Sequence, residues 1–160
     1  MIKKKWLGLA LFCLFLCGCG AAKSNLITPY QFDSSFKLNF SLSKKEIVEI
    51  PEENLETIRR QIQEGLSERN LLTTTTDEIF RKAEIIITSY RMRPDAARLT
   101  VGIMAGCDNI KSNVTVIDSA TKQKIGESEI MIKECAAWGV SSQVIKAYSE
   151  GVVKYLAGEK

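Results

Sequence analysis

Alternating apolar and polar residues mark the start of the segment that we expect to fold. Phe36, Leu38, Phe40 and Leu42 alternate with Lys37, Asn39 and Ser41. A period of two residues is typical of a strand with one buried face. After Pro51 the spacing becomes three and four, at Leu55, Ile58, Ile62 and Leu66. That spacing predicts a helix over residues 51–70.

The rest of the chain repeats the two patterns. We predict strands over 83–92 and 98–105, a hairpin over 110–118 and 124–133, and a closing helix over 138–156. The apolar side of this helix comprises Val144, Ile145, Tyr148, Val152, Tyr155 and Leu156. The order β-α-β-β-β-β-α predicts an α+β fold, an α/β sandwich. In it, two helices cover one face of a mainly antiparallel sheet of four to five strands.

A basic and then apolar segment opens the chain. Lys3, Lys4 and Lys5 precede an apolar stretch of 11 residues over 6–16. This order is typical of a secretion signal. The stretch is too short for a comfortable membrane span, which takes about 20 residues.

The end of that stretch resembles the lipobox of bacterial lipoproteins, in the residues Leu16-Cys17-Gly18-Cys19. The resemblance implies that cleavage makes Cys19 the N-terminal residue and that Cys19 carries acyl chains such as palmitate. The next residue is Gly20 and not the Asp that retains enteric lipoproteins at the inner membrane. This implies an outer-membrane anchor facing the periplasm, or a cell-membrane anchor if the source has no outer membrane. A plain signal peptide is the alternative.

These features divide the chain into a signal peptide over 1–18, a lipidated Cys with a flexible tether over 19–35, and one globular periplasmic domain over 36–160. The tether is small and polar and has little periodicity. The alternative is that it belongs to the folded domain, because four of its residues can pack. These are Leu26, Ile27, Tyr30 and Phe32.

Composition narrows the classes of function. The chain has 22 Lys and Arg against 19 Asp and Glu, and three of the lysines lie in the signal peptide. The mature protein is therefore near neutral, which argues against nucleic-acid binding. The sequence contains no His, the commonest general base and metal ligand. We therefore expect a non-enzymatic protein with no cofactor and no metal.

The predicted hairpin sets a register. A turn centred on Thr121 would bring the following residues opposite one another: Asn113 and Glu129, Thr115 and Glu127, Ile117 and Ile125. Antiparallel strands keep such pairing along their whole length unless a bulge intervenes.

The same register brings Cys107 opposite Cys135 at the open end of the hairpin. Facing residues there lie close enough for a disulfide. Disulfides persist in exported proteins. We therefore predict a Cys107–Cys135 disulfide. Two reduced, buried thiols are the alternative, and a bulge at Gly106 would shift the register.

A basic cluster surrounds Pro94. Arg91, Arg93 and Arg98 are our candidates for binding a small ligand, because guanidinium groups pair with carboxylate or phosphate. The competing interpretation, which we favour, is a solvated turn, since charged residues prefer exposed loops.

The segment from about Glu84 to Glu129 resembles the DUF4410 family of small bacterial lipoproteins of unknown function. The residues that carry the resemblance are Ile85-Ile86-Ile87-Thr88-Ser89-Tyr90, Arg98-Leu99-Thr100-Val101-Gly102, Ala105-Gly106 and Val114-Thr115-Val116-Ile117-Asp118-Ser119-Ala120-Thr121. Lys122 and Asp95 stand where the family has Gly. The resemblance implies a fold more than an activity.

The element order is also similar to that of periplasmic lipoprotein domains that assist envelope machines. Our leading hypothesis is therefore a membrane-anchored lipoprotein whose domain binds an envelope protein or assembly. A homo-oligomer is an open alternative for its partner. The second hypothesis is a small-ligand or glycan binder that uses the turn over 91–98.

Overall fold

The computed structural model describes residues 22–28, 30–33, 35–73, 80–94, 106–135 and 141–159. The signal peptide, Cys19, Arg98 and the strand predicted over 98–105 lie outside the described residues.

Five strands and two helices make up the described chain. In chain order they are β1 (Lys23–Thr28), β2 (Lys37–Lys44), α1 (Glu52–Glu68), β3 (Phe80–Arg91), β4 (Asp108–Asp118), β5 (Lys124–Glu134) and α2 (Ser141–Leu156). The strands form one sheet in the order β1-β5-β4-β3-β2. Only the β2–β3 pair is parallel among these neighbours. The predicted α+β class with a mainly antiparallel sheet is confirmed.

The described order is β-β-α-β-β-β-α, so it differs from the predicted order at the N-terminus. Residues Lys23–Thr28, which the prediction placed in the tether, form an edge strand antiparallel to β5. Tyr30 and Phe32 then pack against the core. The folded domain therefore starts earlier than residue 36. No period of two predicts this strand, because β1 is exposed on both of its faces.

The first helix follows its apolar spacing. Leu55, Ile58 and Ile62 are buried, as is Leu66 in the last turn. At the C-terminus Asn70 adopts φ 54°, and the Leu71 N–H donates to the Leu66 carbonyl at 2.9 Å. This left-handed ending satisfies helix carbonyls that would otherwise lack a donor.

The second helix buries the predicted apolar side, and all six residues named above are in the core. It lies next to α1 at Gly65, where an added Cβ would be 2.9 Å from Val153 Cγ2. On the strands, Ser112, Gly126 and Ser128 face this helix layer. A Cβ at Gly126 would be 3.0 Å from Tyr155 Oη, so small residues in the sheet make room for the tyrosines of α2.

The β4–β5 register agrees with the prediction along most of the hairpin. Asn113 pairs with Glu129, and Thr115 pairs with Glu127. The predicted Ile117–Ile125 pair is wrong, because the register shifts after Val116 and Ile117 pairs with Lys124. A bulge next to the turn absorbs one extra residue.

The turn of this hairpin is held by the Asp118 side chain. Asp118 Oδ1 accepts from the backbone N–H groups of Thr121 at 2.8 Å and Ala120 at 3.0 Å. Lys122 adopts φ 60°. This is the left-handed region that glycine enters at low cost, so Lys122 takes a backbone conformation that residues with a side chain seldom adopt.

Alkaline pH should destabilise this helix layer. Burial raises the pKa of Tyr155 to about 12, and burial also raises the pKa of Tyr148. Both hydroxyls ionise near pH 10 in an unfolded chain. The stabilisation that folding gains from keeping these hydroxyls neutral is therefore fully present below pH 10 and is lost as the pH rises towards 12. Urea unfolding measured from pH 9 to 12 should show this fall.

The Tyr155→Phe variant should show a shallower fall over the same pH interval, since one ionising hydroxyl is removed. Ser43→Ala, at an exposed position on β2, is the matched control and should keep the original slope. An unchanged slope in Tyr155→Phe would contradict this account of the buried hydroxyl.

Candidate functional site

A buried ion pair closes the end of the sheet between β3 and β4. Arg93 Nη2 lies 3.0 Å from Asp108 Oδ2, and the side chains are 3% and 1% exposed. The Arg93 backbone N–H also donates to Asp108 Oδ1 at 2.7 Å. Arg93 further donates to the Glu134 carbonyl at 3.4 Å. One arginine thereby joins three neighbouring stretches of chain.

The predicted ligand-binding arginines are therefore in different situations. Arg93 is buried and paired, so the solvated turn that we favoured from sequence is not found at this residue. Arg91 is exposed and lies on the wall of a cavity. Arg98 lies outside the described residues. Ligand binding by this cluster stays a prediction, and Arg91 is the described arginine of the cluster that lies at a cavity.

The disulfide lies directly beside the ion pair. Cys107 and Cys135 are joined, with their Cα atoms 4.2 Å apart and a sequence separation of 28 residues. The next pair inward, Asp108 and Glu134, is in the predicted register, so the glycine at 106 does not shift it. The open end of the hairpin is therefore closed by a covalent bond and by a charge-assisted hydrogen bond.

A cavity of about 930 Å³ lies where β2 and β3 end. Because these strands are parallel and α1 connects them, their carboxyl ends and the start of α1 meet at one edge. Ligands often bind at such an edge. Arg91 and Lys44 supply cations to the walls, and Val48, Ile50 and Met92 supply apolar surface.

A hydrogen bond within this cavity links the helix to the sheet. Asn54 Nδ2 donates to Tyr90 Oη at 2.7 Å. Burial raises the pKa of Tyr90 above its usual value, and the hydrogen bond from Asn54 offsets only part of that rise. The hydroxyl therefore stays neutral at ordinary pH and offers a polar group to a ligand. Sequence reasoning missed this cavity, although the order β2-α1-β3 could have suggested a parallel pair.

A second cavity, of about 330 Å³, lies between β1 and the end of α2. Ala22, Leu26 and Ile130 line it from the strands, and Gly151 and Tyr155 line it from the helix. Lys23 and Lys154 stand among its other lining residues. Nothing in the sequence pattern predicted this cavity, because it depends on the unpredicted strand β1.

Within the described ranges there is no group of three or more Cys, Asp or Glu side chains arranged to hold a metal ion. Both described cysteines are in the disulfide. Neither described helix is long and apolar enough to cross a bilayer.

The fold and its sites define a small α+β domain with a disulfide across its central hairpin. Residues 24–137 match the sequence profile of the DUF4410 family, a domain of unknown function. The chain belongs to this family. No curated protein sequence matches it.

Several solved structures are similar to this domain. A PelC variant from Paraburkholderia phytofirmans, described as a dodecamer, has a TM-score of 0.52 at 10% identity and covers 86% of this chain and 98% of its own. A second PelC dodecamer from the same organism has a TM-score of 0.50 at 9% identity, and the match covers 88% of this chain and 99% of the PelC chain. Protein XCC0632 from Xanthomonas campestris has a TM-score of 0.49 at 9% identity, and the match covers 77% of this chain and 80% of XCC0632. At such identity the PelC likeness shows a shared fold alone.

Removing the carboxylate of the buried Arg93–Asp108 ion pair should strongly destabilise the fold. Asp108→Asn keeps the size and one oxygen of the side chain but removes the carboxylate charge that lies against the buried Arg93 guanidinium. We expect a loss of about 3–5 kcal/mol in the free energy of unfolding, measured with urea. The double variant Arg93→Met/Asp108→Leu should lose less, because no buried charge remains.

The matched control is the exposed pair of Lys82 and Glu84, 2.8 Å apart. Glu84→Gln should change stability by less than about 1 kcal/mol, as is usual for surface pairs. If Asp108→Asn were as mild as this control, Arg93 would not depend on Asp108 for its charge compensation.

Proposed function

We propose that this chain is a lipid-anchored, non-enzymatic protein of the bacterial envelope. In this proposal Cys19 carries the lipid, at the outer membrane and facing the periplasm, and the folded domain binds an envelope protein or assembly. The observation that carries the proposal is the Cys107–Cys135 disulfide. A bond of this kind persists in an oxidising compartment, which the signal-like N-terminus would provide.

Binding is favoured over catalysis by what the accessible surface offers. The sequence has no His, and the mature chain keeps two cysteines besides Cys19, both in the disulfide. The buried ion pair of Arg93 and Asp108 stabilises the fold, and neither residue is among those lining the two cavities described above. The PelC structures with this fold are dodecamers, so a second copy of the chain is one candidate partner.

Lipidation is tested by mass spectrometry of the full chain purified from its native membranes. We expect an N-terminus at Cys19 that carries acyl mass, together with a Cys107–Cys135 linkage. The Cys19→Ala protein should leave the membrane fraction, because it lacks the residue that carries the lipid. The Cys17→Ala protein should stay lipidated, because it keeps Cys19. An unmodified N-terminus in the wild-type chain would end the proposal.

Binding is tested separately by crosslinking in the intact envelope. We expect a discrete crosslinked species that contains either a particular envelope protein or a second copy. A chain that remains uncrosslinked and shows hydrolytic turnover would contradict a binding role.

The cavity beside Arg91 favours a second candidate function, a small-ligand or glycan binder. Its volume of about 930 Å³ lies in the usual range of ligand sites, roughly 300–1,000 Å³. Its polar groups include the neutral Tyr90 hydroxyl with the Asn54 amide, a combination that suits sugar hydroxyls. The Arg91 guanidinium adds a partner for a carboxylate.

Thermal unfolding with added glucuronate and with added glucose tests this candidate. We expect glucuronate to raise the Tm of the wild-type chain more than glucose does. Arg91→Ala should remove the difference. Arg60→Ala, at an exposed arginine on α1, should keep it. The absence of any rise in the wild-type chain would argue against a sugar acid in this cavity.

A further inference from the structure

Strand β1 begins very close to the proposed lipid anchor. Four peptide steps join Cys19 to Lys23, the first residue of β1. At a maximum of about 3.6 Å per residue these steps span at most about 14 Å. The tether predicted from sequence would have held the domain at a distance, whereas a chain this short keeps one edge of the sheet near the bilayer.

That same edge exposes adjacent apolar side chains. Leu26 is 62% exposed and Ile27 is 57% exposed. The two residues are adjacent in β1, where its register against β5 shifts, and together they make an exposed apolar pair at this edge. Leu26 lines the 330 Å³ cavity next to α2, together with Ala22 and the buried Ile130.

Pairing with a strand of a second copy explains this exposure poorly. Strand β1 has only six residues, and its register against β5 shifts between Leu26 and Thr28. Pro29 follows directly in the sequence. Short length, a bulge and a proline are features that protect an edge from adding another strand. These features do not bury the side chains of Leu26 and Ile27, so a partner other than a second strand has to cover them.

The charges near this edge suit a polar headgroup layer. Lys23 and Lys154 stand beside the cavity. The carboxylates at this end are matched by cations: Glu150 lies 3.2 Å from Lys154, and Glu159 lies 2.6 Å from Arg69. These matched carboxylates do little to repel an anionic membrane, and Lys23 adds a cation that can reach headgroup phosphates.

We infer that the edge formed by β1 and the end of α2 rests on the bilayer that holds the anchor, with Leu26 and Ile27 in the headgroup region. Apolar side chains of interfacial proteins reach about 5–10 Å into that boundary. The outer backbone groups of β1 can bond to water there, so no partner strand is required. The inference rests on the proposed lipidation of Cys19 and assigns the orientation that follows from it.

The test uses the lipidated full chain in phosphatidylethanolamine and phosphatidylglycerol vesicles whose acyl chains are brominated. Bromine quenches tryptophan emission only at close range. Leu26→Trp should lose emission relative to the same chain in unbrominated vesicles. Ile27→Trp is a second variant at the same edge and should behave alike, in case the first does not fold.

Ile47→Trp is the matched control. Ile47 is an exposed isoleucine at 87%, and it follows β2, the strand at the opposite edge of the sheet. Four strand spacings of about 4.8 Å place that edge about 19 Å from β1. This variant should show no quenching beyond that of Trp138, which all three chains share.

The outcomes separate this inference from the proposed function. A lipidated chain in which Leu26→Trp and Ile27→Trp are unquenched overturns the inference and leaves the anchor intact. Equal quenching in Ile47→Trp also overturns it, because no face is then preferred. A crosslink between the β1 strands of two copies, with unquenched emission, would assign the edge to a second copy. A chain without acyl mass defeats the proposed function itself.

Discussion

The antiparallel register between β4 and β5 decides which side chains enter the core. These strands are the inner part of the sheet, with β3 on one side and β1 on the other. Because side chains alternate between faces, a slip of one residue would turn Ile110, Val114 and Ile130 out to solvent. The Cys107–Cys135 bond fixes the open end of the pair. The bulge after Val116 confines the one irregularity to the turn.

The buried charges at that open end fit the same logic. Arg93 lies beyond the last strand residue of β3 and still reaches Asp108 on β4 and the carbonyl of Glu134 on β5. A buried arginine without its carboxylate would be strongly unfavourable. The pair therefore favours one arrangement of three strand ends over alternatives in which they separate. The arginine that resembles a ligand contact in sequence is a structural residue in the fold.

The two edges of the sheet carry different features. At the β2 edge, the parallel pairing with β3 brings strand ends and a helix start together around a cavity with Arg91 on its wall. At the β1 edge, the surface is apolar and adjacent to the proposed anchor. A lipoprotein oriented by its β1 edge would present the β2 edge and its cavity away from the membrane. That arrangement gives the proposed envelope partner an accessible surface.

Periodicity alone determined most of this fold. The helical spacing of Leu55 to Leu66, the apolar side of α2 and the hairpin register with its disulfide all depend on residues near in sequence or paired through one turn. Tertiary structure decided the rest. Strand β1 is held by backbone hydrogen bonds to β5, which leave no side-chain pattern. The burial of Arg93 depends on Asp108, 15 residues away in sequence, because only the assembled sheet brings the two charges together and excludes water from them.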